Sequence, residues 1–175
     1  MALAGLKFQT VTSSYVEDMG LKMGPRQLAR VLSFEKAKDV ASKHAGVLII
    51  AADTFIYFRG HILGKPQSAA DARRMLRMLS GKSHSVITGF SIIDTVSGKK
   101  LSRSVETRVW FKRLSQQEIA SYVASGEPMD KAGAYAIQGL GAVIVSKIEG
   151  DYFNVIGLPL SALSSALREF GITVL

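Results

Sequence analysis

Residues 83–112 read SHSVITGFSIIDTVSGKKLSRSVETRVWFK, and they decide the fold class. Two long stretches rich in β-branched and aromatic residues, about Ser83 to Asp94 and Leu101 to Lys112, flank the turn Ser97-Gly98. Such residues favour strands, and a short turn joins strands that run in opposite directions. The stretch therefore predicts a long antiparallel hairpin, which excludes a doubly wound parallel sheet.

Further strands are predicted upstream of this hairpin. Val47 to Ala52 is an unbroken apolar run, as expected for a strand covered on both faces. Phe55 to Phe58 and His61 to Leu63 flank Arg59-Gly60, and this pattern predicts a hairpin that extends from the apolar run. A weaker alternation predicts a strand from Leu6 to Ser13.

Helical patterns are interleaved with the strands. The predicted helices span approximately residues 25–43, 68–80, 115–126 and 159–170. The second and third begin with capping residues, Ser68 with Asp71 and Ser115 with Glu118. A last strand is predicted from Ala142 to Ile148. This order predicts one α/β domain over residues 1–175, with a mixed sheet and flanking helices.

The composition excludes several classes of protein. The chain has no cysteine, which excludes a disulfide framework, thiolate zinc sites and cysteine nucleophiles. Its longest apolar run, Ala45 to Ala52, is much shorter than the roughly 18 residues of a membrane span. We therefore expect a cytoplasmic protein without a membrane partner.

The net charge of +8 is compatible with several anionic partners. The lysines and arginines stand in groups of two or three without interleaved aromatic residues, which argues against nucleic acid as a partner. A diffuse positive field also raises the association rate of an anionic substrate by ~10–10³. His44, His61 and His84 lack metal-ligand spacing, and we expect them to be surface or core residues.

Two short motifs could carry chemistry. Asp53 follows the apolar run at the expected carboxyl end of a strand, where a carboxylate could hold a divalent cation or orient a water. A turn or helix-cap aspartate is the alternative. Lys65 precedes Pro66, which restrains the lysine backbone, although a surface lysine in this position is also common.

A glycine-rich stretch, GEPMDKAGAYAIQGLGAVIV at residues 126–145, is a third candidate. Lys131 could neutralise phosphate, and Gln138 offers both a donor and an acceptor to the edge of a base. A tight connection with left-handed turns is the alternative reading. Residues 154–159, NVIGLP, form a fourth candidate, with a loop that leads into the last helix as the alternative.

Taken in order, these pieces resemble the Maf family of nucleoside triphosphate pyrophosphatases. The motifs that carry the resemblance are Glu35-Lys36-Ala37, Ala52-Asp53-Thr54, Gly64-Lys65-Pro66, Leu79-Ser80-Gly81, His84-Ser85-Val86, Thr88-Gly89, Tyr122 with Gly126-Glu127-Pro128, residues 130–135, Ile137-Gln138-Gly139, and Asn154-Val155 with Gly157-Leu158-Pro159. The resemblance covers the chain from about residue 5 to its end. Each motif is weak alone, but the ordered set is specific.

The resemblance implies a two-lobed fold with a central cleft, like that of inosine triphosphate pyrophosphatases. It also implies cleavage of a nucleoside triphosphate between its α- and β-phosphates with Mg²⁺ or Mn²⁺. The Ala-Asp-Thr and Ile-Gln-Gly motifs are similar to those of the subgroup that acts on dTTP and UTP. Thr54 and Gln138 would then contribute to selection of the base.

The resemblance also implies roles for five charged residues. Asp53 would be the general base or a metal-linked carboxylate, and Glu17 would help to hold the metal. Lys36, Lys65 and Lys131 would bind the phosphates of the substrate. A positioned base and several cations are what attack of water on a phosphoryl group requires.

One family feature has no counterpart in residues 1–175. Family members usually begin with a short strand and a Ser-x-Ser-Pro-Arg-Arg loop, whose arginine binds phosphate. Losing such a contact predicts weak hydrolysis by the chain as written. The alternative is a regulator of cell division that binds a nucleotide without cleaving it, and a homodimer is left open.

Overall fold

Five strands form a single sheet in the structure, a computed structural model that describes residue 1 and residues 5–175. The strands are β1 Leu48–Phe58, β2 His61–Leu63, β3 Ser83–Asp94, β4 Lys100–Phe111 and β5 Val145–Glu149. Their order is β2-β1-β3-β4-β5, with β2 antiparallel to β1 and β5 antiparallel to β4. The predicted hairpin of β3 and β4 is confirmed, since Asp94 N donates to Lys99 O at 2.9 Å beside its turn. The α/β fold with flanking helices is likewise confirmed.

The helices follow the predicted order. They are α1 Pro25–Ala41, α2 Ala69–Leu79, α3 Gln116–Ala124, α4 Tyr152–Val155 and α5 Leu160–Leu167, with 3₁₀ segments at Glu127–Asp130, Ala132–Ala134, Gly139–Val143 and Arg168–Phe170. Both predicted caps are confirmed. Ser68 Oγ accepts from Asp71 N at 3.1 Å, and Ser115 forms a reciprocal capping box with Glu118. Within the described residues, no helix combines the length and the apolarity that crossing a membrane requires.

The strand predicted at residues 6–13 is wrong. This segment has no regular structure, and its Phe8 and Val11 side chains are about half exposed. An alternating pattern forms a strand only where a neighbouring strand completes its hydrogen bonds. Side chains hold the segment instead, because Asp39 Oδ2 accepts from Ser13 Oγ at 2.9 Å and from Ser14 N at 2.7 Å.

Two strand boundaries also differ from the prediction. β1 continues through Asp53 to Phe58, so this aspartate lies inside a strand rather than at its end. The β1 residues before it are partly exposed, not covered on both faces. Pairing with β2 near Ile56 extends the strand past the polar residues. β5 begins only at Val145, because the glycines before it form a 3₁₀ segment.

The chain divides into two compact units. The first unit comprises Met1–Asp53, Thr88–Val105 and Gly157–Leu175, and the second comprises Thr54–Ile87 and Glu106–Ile156. Each of the three long strands therefore contributes its two halves to different units. The single domain over residues 1–175 and the central cleft stay predictions.

In the first unit, helices pack on both faces of the sheet. Ser33 of α1 shares a hydrogen bond of 2.9 Å with Ser91 of β3. Phe90 of β3 points to the opposite face, where it packs in one buried cluster with Leu163 of α5. α1 approaches β3 closely at Gly89, where an added Cβ would lie 1.9 Å from a backbone oxygen of the helix.

We expect Gly89→Ala to destabilise the protein by about 3 kcal/mol, because the new methyl would overlap Ala29 O and force α1 away from the sheet. Urea unfolding followed by circular dichroism measures the change. Gly24→Ala is the matched control, since an added Cβ there meets no atom within 4 Å, and its effect should stay within about 1 kcal/mol. Equal stabilities of the two variants would contradict the packing.

In the second unit, α2 and α3 cover a core that contains a buried histidine. His84 is 3% exposed, and its Nε2 lies 2.7 Å from the hydroxyl of Tyr135. Its ring also stands edge-on to that of Phe111, with 5.0 Å between ring centres. Burial lowers the pKa of His84 to about 4. The expectation that this histidine is a core residue is confirmed.

The free energy of unfolding should therefore fall as the pH decreases from about 6.5 to about 4. Over this range His84 binds a proton in the unfolded chain but stays neutral in the folded protein. The loss attributable to this residue is about 3 kcal/mol. It is measured as the pH dependence of the difference in unfolding free energy between the wild type and His84→Phe. A difference that stays constant over this pH range would count against the buried neutral imidazole.

Candidate active site

An ion-paired cluster occupies the first unit. Lys36 Nζ lies 2.5 Å from Asp53 Oδ1 and 2.6 Å from Glu17 Oε1. Asp53 comes from β1, Lys36 from the middle of α1, and Glu17 from the segment that precedes this helix. Three residues distant in sequence thus place two carboxylates on one ammonium group.

The ammonium group is electrostatically required at this place. Asp53 is 8% exposed, and a buried carboxylate is strongly unfavourable without a cation. Burial lowers the pKa of Lys36, but the hydrogen bonds and charges of Asp53 and Glu17 outweigh burial and raise this pKa above its ordinary value. Lys36 therefore stays charged at neutral pH.

A cavity of about 440 Å³ lies beside this cluster, within the first unit. It is lined by residues of the segment before α1, including Tyr15 and Glu17, by Lys36 of α1, and by Ile50 and Ala52 of β1. Its size falls within the usual range of small-molecule sites. The cavity therefore offers an organic ligand access to the ion-paired cluster.

The two carboxylates suit a hard divalent cation. Mg²⁺ is usually held by one or two carboxylates, with water and substrate phosphates completing its coordination. Asp53 and Glu17 already place oxygens around one positive centre, the Lys36 ammonium. Among the described residues, no group of three potential ligands forms a complete protein cage. Two protein carboxylates therefore fit a metal whose remaining ligands come from water and from substrate phosphates.

Two more predicted phosphate-binding residues lie in the second unit. Gly133 N donates to Gly64 O at 2.9 Å, and this bond joins the segment of Lys131 to that of Lys65. Lys131 Nζ pairs with Asp130 at 2.5 Å. The Lys131 hydrogen bond lowers the pKa of Asp130, and the charge of Lys65 contributes to the same shift. Both lysines therefore stabilise the ionised carboxylate of Asp130.

The two predicted specificity residues also lie in the second unit. Gln138 is exposed and precedes the 3₁₀ segment that begins at Gly139, without a side-chain hydrogen bond that caps it. Gly139 has a φ of +68°. Thr54 follows Asp53 directly on β1 and is partly exposed. The roles of Thr54 and Gln138 in base selection stay predictions.

The structure assigns contacts to residues for which the sequence predicted no role. Glu127 and Tyr122, known from the sequence only as motif residues, form a hydrogen-bonded network with the backbone around Gln138. Asn154 is fully buried, and its side chain donates to Val86 O and Thr107 Oγ1, both at 3.0 Å. Asn154 thus connects β3 and β4. Spacing in the sequence alone does not reveal that Asn154 is buried or that Glu127 binds this backbone.

Comparisons with known proteins agree with this architecture. The family model described as "Maf-like protein" matches residues 1–170. The chain is 51% identical to a dTTP/UTP pyrophosphatase of Methanococcoides burtonii over 172 residues, which is 98% of this chain and 88% of that protein. It is 46% identical to the dTTP/UTP pyrophosphatase of Methanosarcina barkeri, with 98% and 87% of the two chains covered. The chain belongs to the Maf family, and the resemblance found in the sequence is confirmed.

We expect Lys36→Met to lower the unfolding free energy at pH 7 by about 1–3 kcal/mol, because two carboxylates lose their shared cation. The raised pKa of Lys36 means that its contribution is complete below pH 10.5 and is lost as the pH rises through the folded-state pKa. The difference between wild type and variant, measured by chemical unfolding, should thus shrink above pH 10.5.

Lys38→Met is the matched control on the same helix. Lys38 is 64% exposed and pairs with Glu35 at 3.3 Å, so its removal should cost no more than about 1 kcal/mol. If the Lys36 and Lys38 variants behaved alike at every pH, Lys36 would not stabilise the cluster.

Proposed function

We propose that this chain hydrolyses dTTP and UTP to the monophosphate and pyrophosphate. The observation that carries the proposal is the convergence of Asp53 and Glu17 on the ammonium of Lys36. Membership of the Maf family supports the reaction class, and the relatives named dTTP/UTP pyrophosphatase support the choice of nucleotides. The cavity beside the cluster supports binding of an organic substrate.

Asp53 acts as the base in this proposal. The neighbouring ammonium favours its ionised form, and β1 together with the ion pair fixes its orientation. The carboxylate accepts a proton from the water as its oxygen bonds to a phosphorus of the α–β bridge; the bridging P–O bond breaks, and the nucleotide separates into the monophosphate and pyrophosphate. Positioned proton transfer of this kind accelerates a reaction by about 10²–10⁴.

The three lysines offset the charge of the phosphates. Lys36 lies beside the base in the first unit, and the family resemblance is what supports phosphate binding by Lys65 and Lys131. Lys131 is paired with Asp130, but this ion pair is exposed and contributes little to stability. Exchange of that carboxylate for a more highly charged phosphate is therefore favourable.

A divalent cation, Mg²⁺ or Mn²⁺, would be held by Asp53 and Glu17 and would neutralise negative charge on the phosphate oxygens. Thr54 and Gln138 select the pyrimidine base in this proposal. The exposed amide of Gln138 can donate and accept at the edge of uracil or thymine.

Replacement of Asp53 tests the proposal. Asp53→Asn should reduce kcat for release of pyrophosphate from dTTP and UTP by about 10²–10⁴, because the amide keeps the shape of the side chain but cannot accept the proton. Glu169→Gln is the control, since Glu169 is 43% exposed and pairs with Arg103, away from the Lys36 cluster. Retention of wild-type turnover by Asp53→Asn would overturn the assignment.

The same assay separates the alternative function. A regulator that binds without cleaving predicts that dTTP raises the melting temperature of the wild type while no pyrophosphate is released. The weak hydrolysis expected from the sequence, the cytoplasmic location, the homodimer and the exclusion of nucleic acid stay predictions.

A further inference from the structure

Glu127 holds one end of the segment 136–141, which carries Gln138. Its Oε1 accepts from Gly141 N at 2.9 Å, and its Oε2 accepts from Leu140 N at 2.9 Å. A single carboxylate thus binds two consecutive backbone N–H groups, those of the second and third residues after Gln138, the predicted base-selecting residue. The far end of the segment is thereby fixed against the 3₁₀ segment of Glu127.

Tyr122 of α3 holds the other end. Its hydroxyl accepts from Ala136 N at 3.1 Å and donates to Glu127 Oε1 at 2.9 Å. Burial raises the pKa of Tyr122, so the hydroxyl keeps the proton that it donates. Two side chains and one shared hydrogen bond therefore clamp the segment at both of its ends.

The segment packs closely against its surroundings at two of its glycines. A Cβ added at Gly141 would lie 2.1 Å from Ala136 O and 2.6 Å from the Tyr122 hydroxyl. A Cβ added at Gly139 would lie 2.5 Å from Glu127 Oε2, and the φ of +68° at Gly139 also favours glycine. The glycines of this motif therefore serve the clamp as well as the turn.

Hydrogen bonds stabilise the negative charge of the Glu127 carboxylate in the clamp that Glu127 and Tyr122 form. Burial raises the pKa of Glu127. The hydrogen bonds from Leu140 N, Gly141 N and the Tyr122 hydroxyl, together with the charge of Lys131, lower it by more, so the net pKa is below its ordinary value. Glu127 is thus ionised at neutral pH. An ionised acceptor makes stronger hydrogen bonds than a neutral one.

We infer that Glu127 and Tyr122 are positioning residues that set nucleobase selectivity by fixing the backbone on both sides of Gln138. This inference rests on the proposed function, in which Gln138 contacts the base. A side chain that reads a base through hydrogen bonds must be held within a fraction of an ångström. Gln138 is exposed, so the orientation of its side chain depends on the segment beneath it.

The test measures kcat/KM for pyrophosphate release from dTTP, dCTP and dATP. Gln138→Ala sets the largest expected loss of selectivity. Tyr122→Phe loses both hydroxyl hydrogen bonds and should lower the ratio of kcat/KM for dTTP to kcat/KM for dCTP by about five- to tenfold. Glu127→Gln should lower this ratio by a similar factor, because the amide nitrogen would face an N–H donor. Tyr152→Phe, at an exposed tyrosine, should leave the ratio unchanged.

Hydrogen exchange provides a readout that does not depend on catalysis. The amides of Ala136, Leu140 and Gly141 should exchange faster in Tyr122→Phe than in the wild type. Equal losses of kcat/KM for all three nucleotides, or unchanged exchange, would overturn the inference while the proposed function stands. A wild type that releases no pyrophosphate from dTTP or UTP would instead overturn the proposed function.

Discussion

A buried carboxylate inside a β-strand requires a positive partner, and at Asp53 that partner is the ammonium of Lys36. This requirement links a strand to a helix, because the lysine reaches Asp53 only where α1 lies directly on the sheet. The absence of a side chain at Gly89 allows that close approach. Glu17 joins the same ammonium and attaches the otherwise irregular N-terminal segment to the helix.

The same arrangement prepares the cluster for chemistry. The ammonium of Lys36 stabilises both carboxylates and balances half of their formal charge. In the proposed function, a polyphosphate with a divalent cation would bring both new negative charge and a new positive centre to these groups. The remaining negative charge of the two carboxylates would favour binding of the cation.

In the second unit, side-chain hydrogen bonds hold the glycine-rich segment 136–141 in one conformation. Glycine allows the left-handed turn at Gly139 but also makes the unbound segment flexible. Glu127 and Tyr122 remove that freedom through side-chain hydrogen bonds to the backbone. A backbone hydrogen bond from Gly133 N to Gly64 O joins the segment of Lys131 to that of Lys65. Satisfied polar groups thus add to the apolar packing of this unit.

The sequence by itself determined the α/β class, the β3–β4 hairpin and the helix caps, because these depend on local propensity and on neighbours a few residues apart. Its ordered motifs also indicated the family, and this resemblance implied roles in the site for Asp53, Lys36 and Glu17. Only the tertiary structure decided that β1 continues through Asp53, since strand length depends on partner strands, and that residues 6–13 lack one. The Glu127–Tyr122 clamp likewise joins groups up to 19 positions apart, from Tyr122 to Gly141, and no local pattern encodes such pairing.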